Sequence, residues 1–337
     1  MATPHGRSCF QYLFHLAQDN LDFRLPEIKS LLALTGKPFQ PSGNFKEKAP
    51  FWCLDGLCEE DVRGIMARSV CAKSAFELWG HGQTHSELRT SLLKYPSENM
   101  SPFMHKESTY RINVYTFNKT LEFTDRIKRI DALEYLPFEG TVSLKSPQHI
   151  FCLLEDYGTE PNNIPEHPLY IYFGRWIADG QRELIRSHSV KNRHFIGNTS
   201  MDAGLSFLMA NHAKVKENDL VFDPFVGTDL LNFSAHHLVM GGRLVYWLPV
   251  YSPEYKEEMV PLHPCLQLIS NCEQTLSSHT SRRLITMEKI KEPEEFDRLA
   301  DPSFSPYQGH NAFREKYFNS LNKRCGKEEN KSDINGE

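Results

Sequence analysis

The chain has 337 residues, enough for two or three domains and a sizeable core. Hydrophobic residues make up 40% and charged residues 24%, which excludes a wholly disordered chain, and no apolar run approaches the roughly 18 residues of a membrane-spanning helix. A formal net charge of -5 excludes a polycation that coats nucleic acid in bulk, yet leaves room for a local basic face. Eight cysteines without repeated spacing, behind an N-terminus that lacks a secretory apolar stretch, read as a protein of a reducing, cytoplasmic compartment.

Residues 9 to 80 read as two strand-then-helix units. "CFQYLFHLA" is apolar and aromatic enough for a buried strand, and "RLPEIKSLLALTG" follows as a helix with Pro26 in its first turn and Gly36 at its end. "PFWCLDGL" is a second strand. In "CEEDVRGIMARSV", Val62, Ile65, Met66 and Val70 recur at helical spacing. "SAFELWG" adds a third strand, and this alternation predicts an α+β domain with helices on one side of a sheet.

The pattern continues to about residue 185. "THSELRTSLLKYP" is a helix with Thr84 and Ser86 as candidate caps, and "TYRINVYTF" alternates as a strand. "DRIKRIDALEYLP" is helical. "HIFCLLEDYG" and "LYIYFGRWIADG" are strands joined by the polar, proline-rich "TEPNNIPEHP". Lys119, Arg126, Lys128 and Arg129 gather on or beside one helix, where they either grip RNA phosphates or form a solvated face. Arg175 and Trp176 suit RNA contact, through a planar fork and a stacking ring, or packing between domains.

A helix is expected from Met201, with Met201, Leu205 and Leu208 on its apolar face and Phe207 at the edge of that face. Thr199 and Ser200 precede it as ligand-facing or capping residues. Farther on, "DLVFD", "RLVYWLP", "CLQLIS" and "RRLITMEK" are four strand candidates. In "DPFVGT", Asp223 at the end of the first of these either borders a ligand or caps the next helix. Gly227 fits a tight turn, and Thr228 is a candidate cap for a helix near Asp229. Cys53 and Cys58 have no second pair at matching spacing, so they read as structural and not as zinc ligands. His263 and Cys265 lie close together without a defensible catalytic set around them.

Several long strings carry a resemblance. "FRLPEIKSLL", "CAKSAFELWGHGQ", "YFGRWIADGQREL", "RHFIGNTSMDAGLSFLMANHAKVKENDLVFDPFVGT" and "GGRLVYWLPVYSPEY" occur in this order, with others between and after them. Through them the chain resembles the catalytic subunits of the eukaryotic tRNA (guanine-10-N2) methyltransferases, a THUMP-domain methyltransferase family.

The resemblance implies an α+β N-terminal half, ferredoxin-like over 1–80 and THUMP over 81–188. A linker and helix at 189–215, an incomplete Rossmann-like α/β methyltransferase domain at 216–300 and an extension at 301–337 with a disordered end complete the layout. It also implies S-adenosylmethionine as methyl donor, held by Asp223, Pro224, Phe225, Gly227 and Thr228 with Thr199 and Ser200 on the approach. The partners implied are tRNA, methylated on N2 of guanosine 10, and a small zinc-containing adaptor protein whose metal is its own.

The family pattern is interrupted after "DPFVGT". Asp229 stands where a glycine is expected, and "LLNFSAHHLVM" and "GGRLVYWLPV" resemble the helix and strand beyond the catalytic motif. The strand–helix units expected between them amount to roughly a hundred residues. No Pro-Pro pair occurs in the 337 residues, so the Asp/Asn-Pro-Pro-Tyr motif that would grip a flipped base is missing.

Overall fold

The computed structural model describes residues 10–192, 201–217, 219, 221 and 230–294. The chain divides into two compact units, Met1–Leu205 and Ser206–Glu337.

In the first unit β1 (Phe10–Leu16), α1 (Leu21–Leu34), β2 (Phe51–Leu57), α2 (Glu59–Met66) and β3 (Ala72–Gly82) are followed by α3 (His85–Lys94) and α4 (Ser97–Met104). Then come β4 (Thr109–Phe117), α5 (Phe123–Asp131), β5 (Thr141–Val142), β6 (His149–Asp156), β7 (Tyr170–Asp179) and α6 (Arg182–Ser187). All seven strands form one sheet in the order β2-β1-β3-β7-β6-β4-β5. β4 runs parallel to β5 and β6, and every other pair is antiparallel.

β1 shows why the strands read as near-continuous apolar runs: its side chains are buried on both faces of the sheet. Tyr12, Phe14 and Leu16 point into a core with Ile28, Leu31 and Leu32 of α1 and Val62, Ile65 and Met66 of α2. Leu13 faces the other way, into a cluster with Phe51, Phe76, Leu78, Cys152 and Leu154. Farther along, Trp79, Leu88, Leu92, Met100, Met104, Phe151 and Phe173 form a second core. Where β3 meets β7, the backbones come so close that a side chain at Gly174 would run into the Glu77 carbonyl.

The helix ends follow local chemistry, with some departures from the pattern. α1 starts at Leu21, so Pro26 lies inside it and not in its first turn. Asn20 takes a left-handed conformation (φ 50°) that turns the chain in, and Phe23 is fully buried one residue before the expected start. Gly36 (φ 70°) ends the helix as expected. α2 is capped at Cys58, whose N–H and Sγ both donate to Asp61 at 2.9 and 3.0 Å. It stops at Met66, short of Val70. There the buried Glu27 carboxylate takes the Val70 and Cys71 N–H groups, at 3.0 Å each, and the Ser69 hydroxyl. α3 carries the expected cap, Thr84 Oγ1 accepting from the Glu87 N–H at 3.2 Å. The periodicity gives no helix at 97–104, because Pro96 and Pro102 break the pattern; Met100 and Met104, one turn apart, anchor α4 in the core.

α7 (Ala203–His212) crosses the division between the units in sequence. It starts two residues later than expected, because Asp202 caps it, accepting from the N–H groups of Gly204 (2.8 Å) and Leu205 (3.3 Å). Leu205 and Leu208 are buried and Phe207 only partly, as the helical spacing requires.

The second unit continues with α8 (Leu230–His237), β8 (Arg243–Tyr251), β9 (Leu266–Thr275) and β10 (Thr280–Lys289). The three strands form a sheet in the order β8-β10-β9, β10 antiparallel to both neighbours. Leu231 and Ala235 of α8 pack with Leu244, Cys265, Ile285 and Met287 beneath it. Cys265 donates its N–H to His263 Nδ1 at 3.1 Å, a structural contact between two buried residues. Of the expected strand "DLVFD" only Asp219 and Val221 are described, neither of them in a strand, and the extension from 301 lies outside the described residues.

Candidate nucleic-acid interface

α5 is a short helix between β4 and β5 in the chain that packs against β4, next to the β5 edge of the first sheet, and none of its residues is fully buried. It is held from beneath by one ion-paired centre. Glu155 of β6 is completely buried and accepts from Arg129 Nε and the Tyr157 hydroxyl at 2.6 and 2.7 Å, with His85 Nε2 3.5 Å away. Burial pushes the Glu155 carboxyl upward, but hydrogen bonds from His85, Tyr157 and Arg129 outweigh it and hold the group below the ordinary carboxylate range.

Arg129 is therefore an anchor and not a free phosphate ligand; its side chain is 22% exposed. Lys119 is likewise spent. Its Nζ donates to the Glu166 and Pro165 carbonyls at 2.6 and 3.3 Å and lies 4.5 Å over the Tyr157 ring, closing the polar loop before β7.

Arg126 and Lys128 differ. Both are exposed on α5, on different sides of the helix because they lie two residues apart, Lys128 in a weak surface pair with Asp125. Phe123, one turn before Arg126, is 75% exposed and Ile127 39% exposed, so the helix presents a cation and an aromatic ring side by side. That combination suits a nucleic acid, with charge for phosphate and a ring for a base or sugar.

Arg175 takes a packing role. It lies on the inward face of β7, 7% exposed, bonded to Glu77 of β3 and Glu59 of α2, with its guanidinium 3.9 Å from the Phe103 ring. Burial disfavours its charge, but Glu77 and Glu59 more than restore it, so Arg175 stays a committed cation inside a core network. Glu77 also accepts from Trp79 Nε1 (2.9 Å) and the Tyr95 hydroxyl (3.0 Å), which uses all its capacity. Trp176 points to the opposite face, packs on the Leu13–Phe76 cluster and donates its indole N–H to Asp179 at 2.9 Å. Glu59, Glu77 and Glu155 were not legible as a set in the sequence. The signal available for Glu77 and Glu155 was an acid set among apolar residues within a strand, as in "AFELW" and "CLLED"; Glu59, the first residue of α2, carried none.

Asp223, Pro224, Phe225, Gly227 and Thr228, with Thr199 and Ser200, lie outside the described residues. Cys58 is buried as the α2 cap and Cys53 is partly buried on β2.

The first unit is a helix-backed α+β sheet with an exposed basic helix near one edge. A family model described as "Tmrp11 THUMP N-terminal domain" matches residues 10–182. The chain is 48% identical over 457 residues to the tRNA (guanine(10)-N(2))-methyltransferase TRMT11 of Rattus norvegicus, covering 98% of this chain and 98% of that protein. With its counterpart from Homo sapiens it is 48% identical over 450 residues, covering 95% and 97%. The chain belongs to the TRMT11 family. Among solved structures, TrmN from Thermus thermophilus aligns at 12% identity with a TM-score of 0.35, over 83% of this chain and 100% of that one. The rat alignment runs over 457 positions against 337 residues here, so at least 120 of its positions face no residue of this chain.

Proposed function

We propose that this chain serves methylation of N2 of guanosine 10 in tRNA, as a subunit that holds tRNA through its N-terminal unit. The observation that carries this reading is the end-to-end identity of 48% to proteins named for that reaction. Arg126, Lys128 and Phe123 on α5 are the residues assigned to RNA contact, supported by their exposure. The methyl donor of the reaction is S-adenosylmethionine, and the segment assigned to it is Asp223 to Thr228. No step of the transfer is assigned to a described residue.

The finer layout follows the same reading. It has a ferredoxin-like part to residue 80, a THUMP part to 188 that continues the same sheet, and a shortened Rossmann-like domain from 216. A small zinc-containing adaptor protein is the proposed partner of that domain, on the strength of the resemblance. A cytoplasmic location is proposed from the eight cysteines without repeated spacing in the sequence.

A second reading has its own observation. At least 120 aligned positions have no counterpart here, and no Pro-Pro pair is present to grip the target base. These favour a form that binds tRNA without transferring methyl. The test is one preparation of the chain co-expressed with the adaptor, given tRNA and labelled S-adenosylmethionine. Label on guanosine 10 supports the first reading. Tight tRNA binding without label supports the second, and absence of both overturns the proposal.

A further inference from the structure

Between β1, α2 and α4 lies a cleft of about 380 Å³ whose wall includes Tyr12, Glu59, Glu60, Glu77, Glu98 and Arg175. Four carboxylates against one guanidinium give that wall a formal excess of three negative charges. Arg63, paired with Glu59 at 2.6 Å, offsets one of them from outside. The cleft therefore repels anions, RNA phosphate included, and attracts cations.

An independent feature gives the cleft a polar contact to fill. Tyr12 is 0% exposed, and its hydroxyl has no hydrogen-bond partner. An orphan hydroxyl of this kind is costly to keep. Burial first, then the charges of Glu77 and Glu59, push its ionisation upward, so the group is a neutral phenol standing among the carboxylates of the wall. A neutral oxygen in a negative field is matched by an N–H donor that carries positive charge.

We propose that the cleft is a binding site for the end of an alkylammonium chain. Its ammonium donates to Tyr12 Oη and to the glutamate rim, and its methylene stem lies along Pro102 and Phe103, which line the same cleft. A guanidinium fits less well, because the two carboxylates that would take its planar fork, Glu59 and Glu77, already hold Arg175. A divalent metal fits less well too, since among the described residues no three His, Cys, Asp or Glu side chains converge closely enough to hold one. A free polyamine and the lysine side chain of a partner protein present the same group.

The test is a ligand-observed nuclear magnetic resonance titration of the full chain with three probes: spermidine, the capped peptide acetyl-Gly-Lys-Gly-amide, and 1,5-pentanediol as neutral control. Saturation by either amine is expected, and the one that saturates names the source. Tyr12→Phe keeps the ring and removes the oxygen, and should weaken binding about five- to tenfold. Glu98→Gln, on the exposed rim, should weaken it about threefold. Circular dichroism checks that both variants keep the fold. Equal binding of the diol, no saturation by either amine up to about 10 mM, or unchanged affinity in both variants overturns the proposal.

Discussion

Arg129→Met separates anchoring from RNA contact on α5. The substitution keeps most of the aliphatic stem but removes the donor to Glu155, a carboxylate with no exposure of its own. Breaking a buried pair from one side costs about 3–5 kcal/mol when nothing else compensates. Here the Tyr157 hydroxyl remains at 2.7 Å, His85 stays nearby, and the arginine side chain is 22% exposed, so solvent already screens part of the pair. The expected loss is about 2 kcal/mol, or roughly 4–8 °C in melting temperature for a unit of this size.

The pH dependence gives a second handle on the same bond. The folded Glu155 carboxyl is held below its ordinary range, so its contribution is complete above the unfolded carboxyl pKa of about 4.3 and is lost as pH falls through the folded value. The gap between wild type and variant should be full at neutral pH and should narrow below that range. Urea unfolding at several pH values measures it. A loss under about 0.5 kcal/mol, or a gap that does not change with pH, refutes the account of Arg129 as an anchor.

Arg126→Ala should do the reverse. It should leave the melting temperature unchanged, weaken tRNA binding and lower the slope of log K against log salt by about 0.7–0.9, as measured by filter binding across a salt series. Gly174→Ala, which drives a methyl group into the Glu77 carbonyl at the β3–β7 crossing, should cost more than about 3 kcal/mol and lower soluble yield. His15, stacked 4.9 Å from Phe51, has its imidazole pushed down to about 4, by burial first and then by Lys73 and Arg24. Its folded pKa lies below the unfolded value of about 6.5, so stability should be complete above that pH and decline as pH falls towards 4. His15→Phe should flatten that part of the acid unfolding profile.

What the sequence determined by itself was local. The apolar, β-branched and aromatic runs of β1, β2, β3, β4, β6 and β7 were legible because strand pattern is carried by neighbouring residues. The Thr84 cap and the Gly36 stop were legible for the same reason, as were the family strings and the interruption after "DPFVGT". α4 was not, since its two prolines spoil the period while two methionines in the core hold it. Nor was the Asp202 cap, hidden among several capping residues in one short stretch.

The use of each charge was decided only by tertiary structure. Lys119, Arg126, Lys128, Arg129 and Arg175 look alike in the chain, yet three are consumed inside and two are left outside. Arg175 is bound by Glu77, 98 residues away, and by Glu59, 116 away; Arg129 is bound by Glu155, 26 away; and Lys119 is held by a loop 46 and 47 away. A side chain's charge is fixed by its identity, but whether that charge is free depends on what the fold brings within about 3 Å of it, and strand order carries that information where spacing along the chain does not.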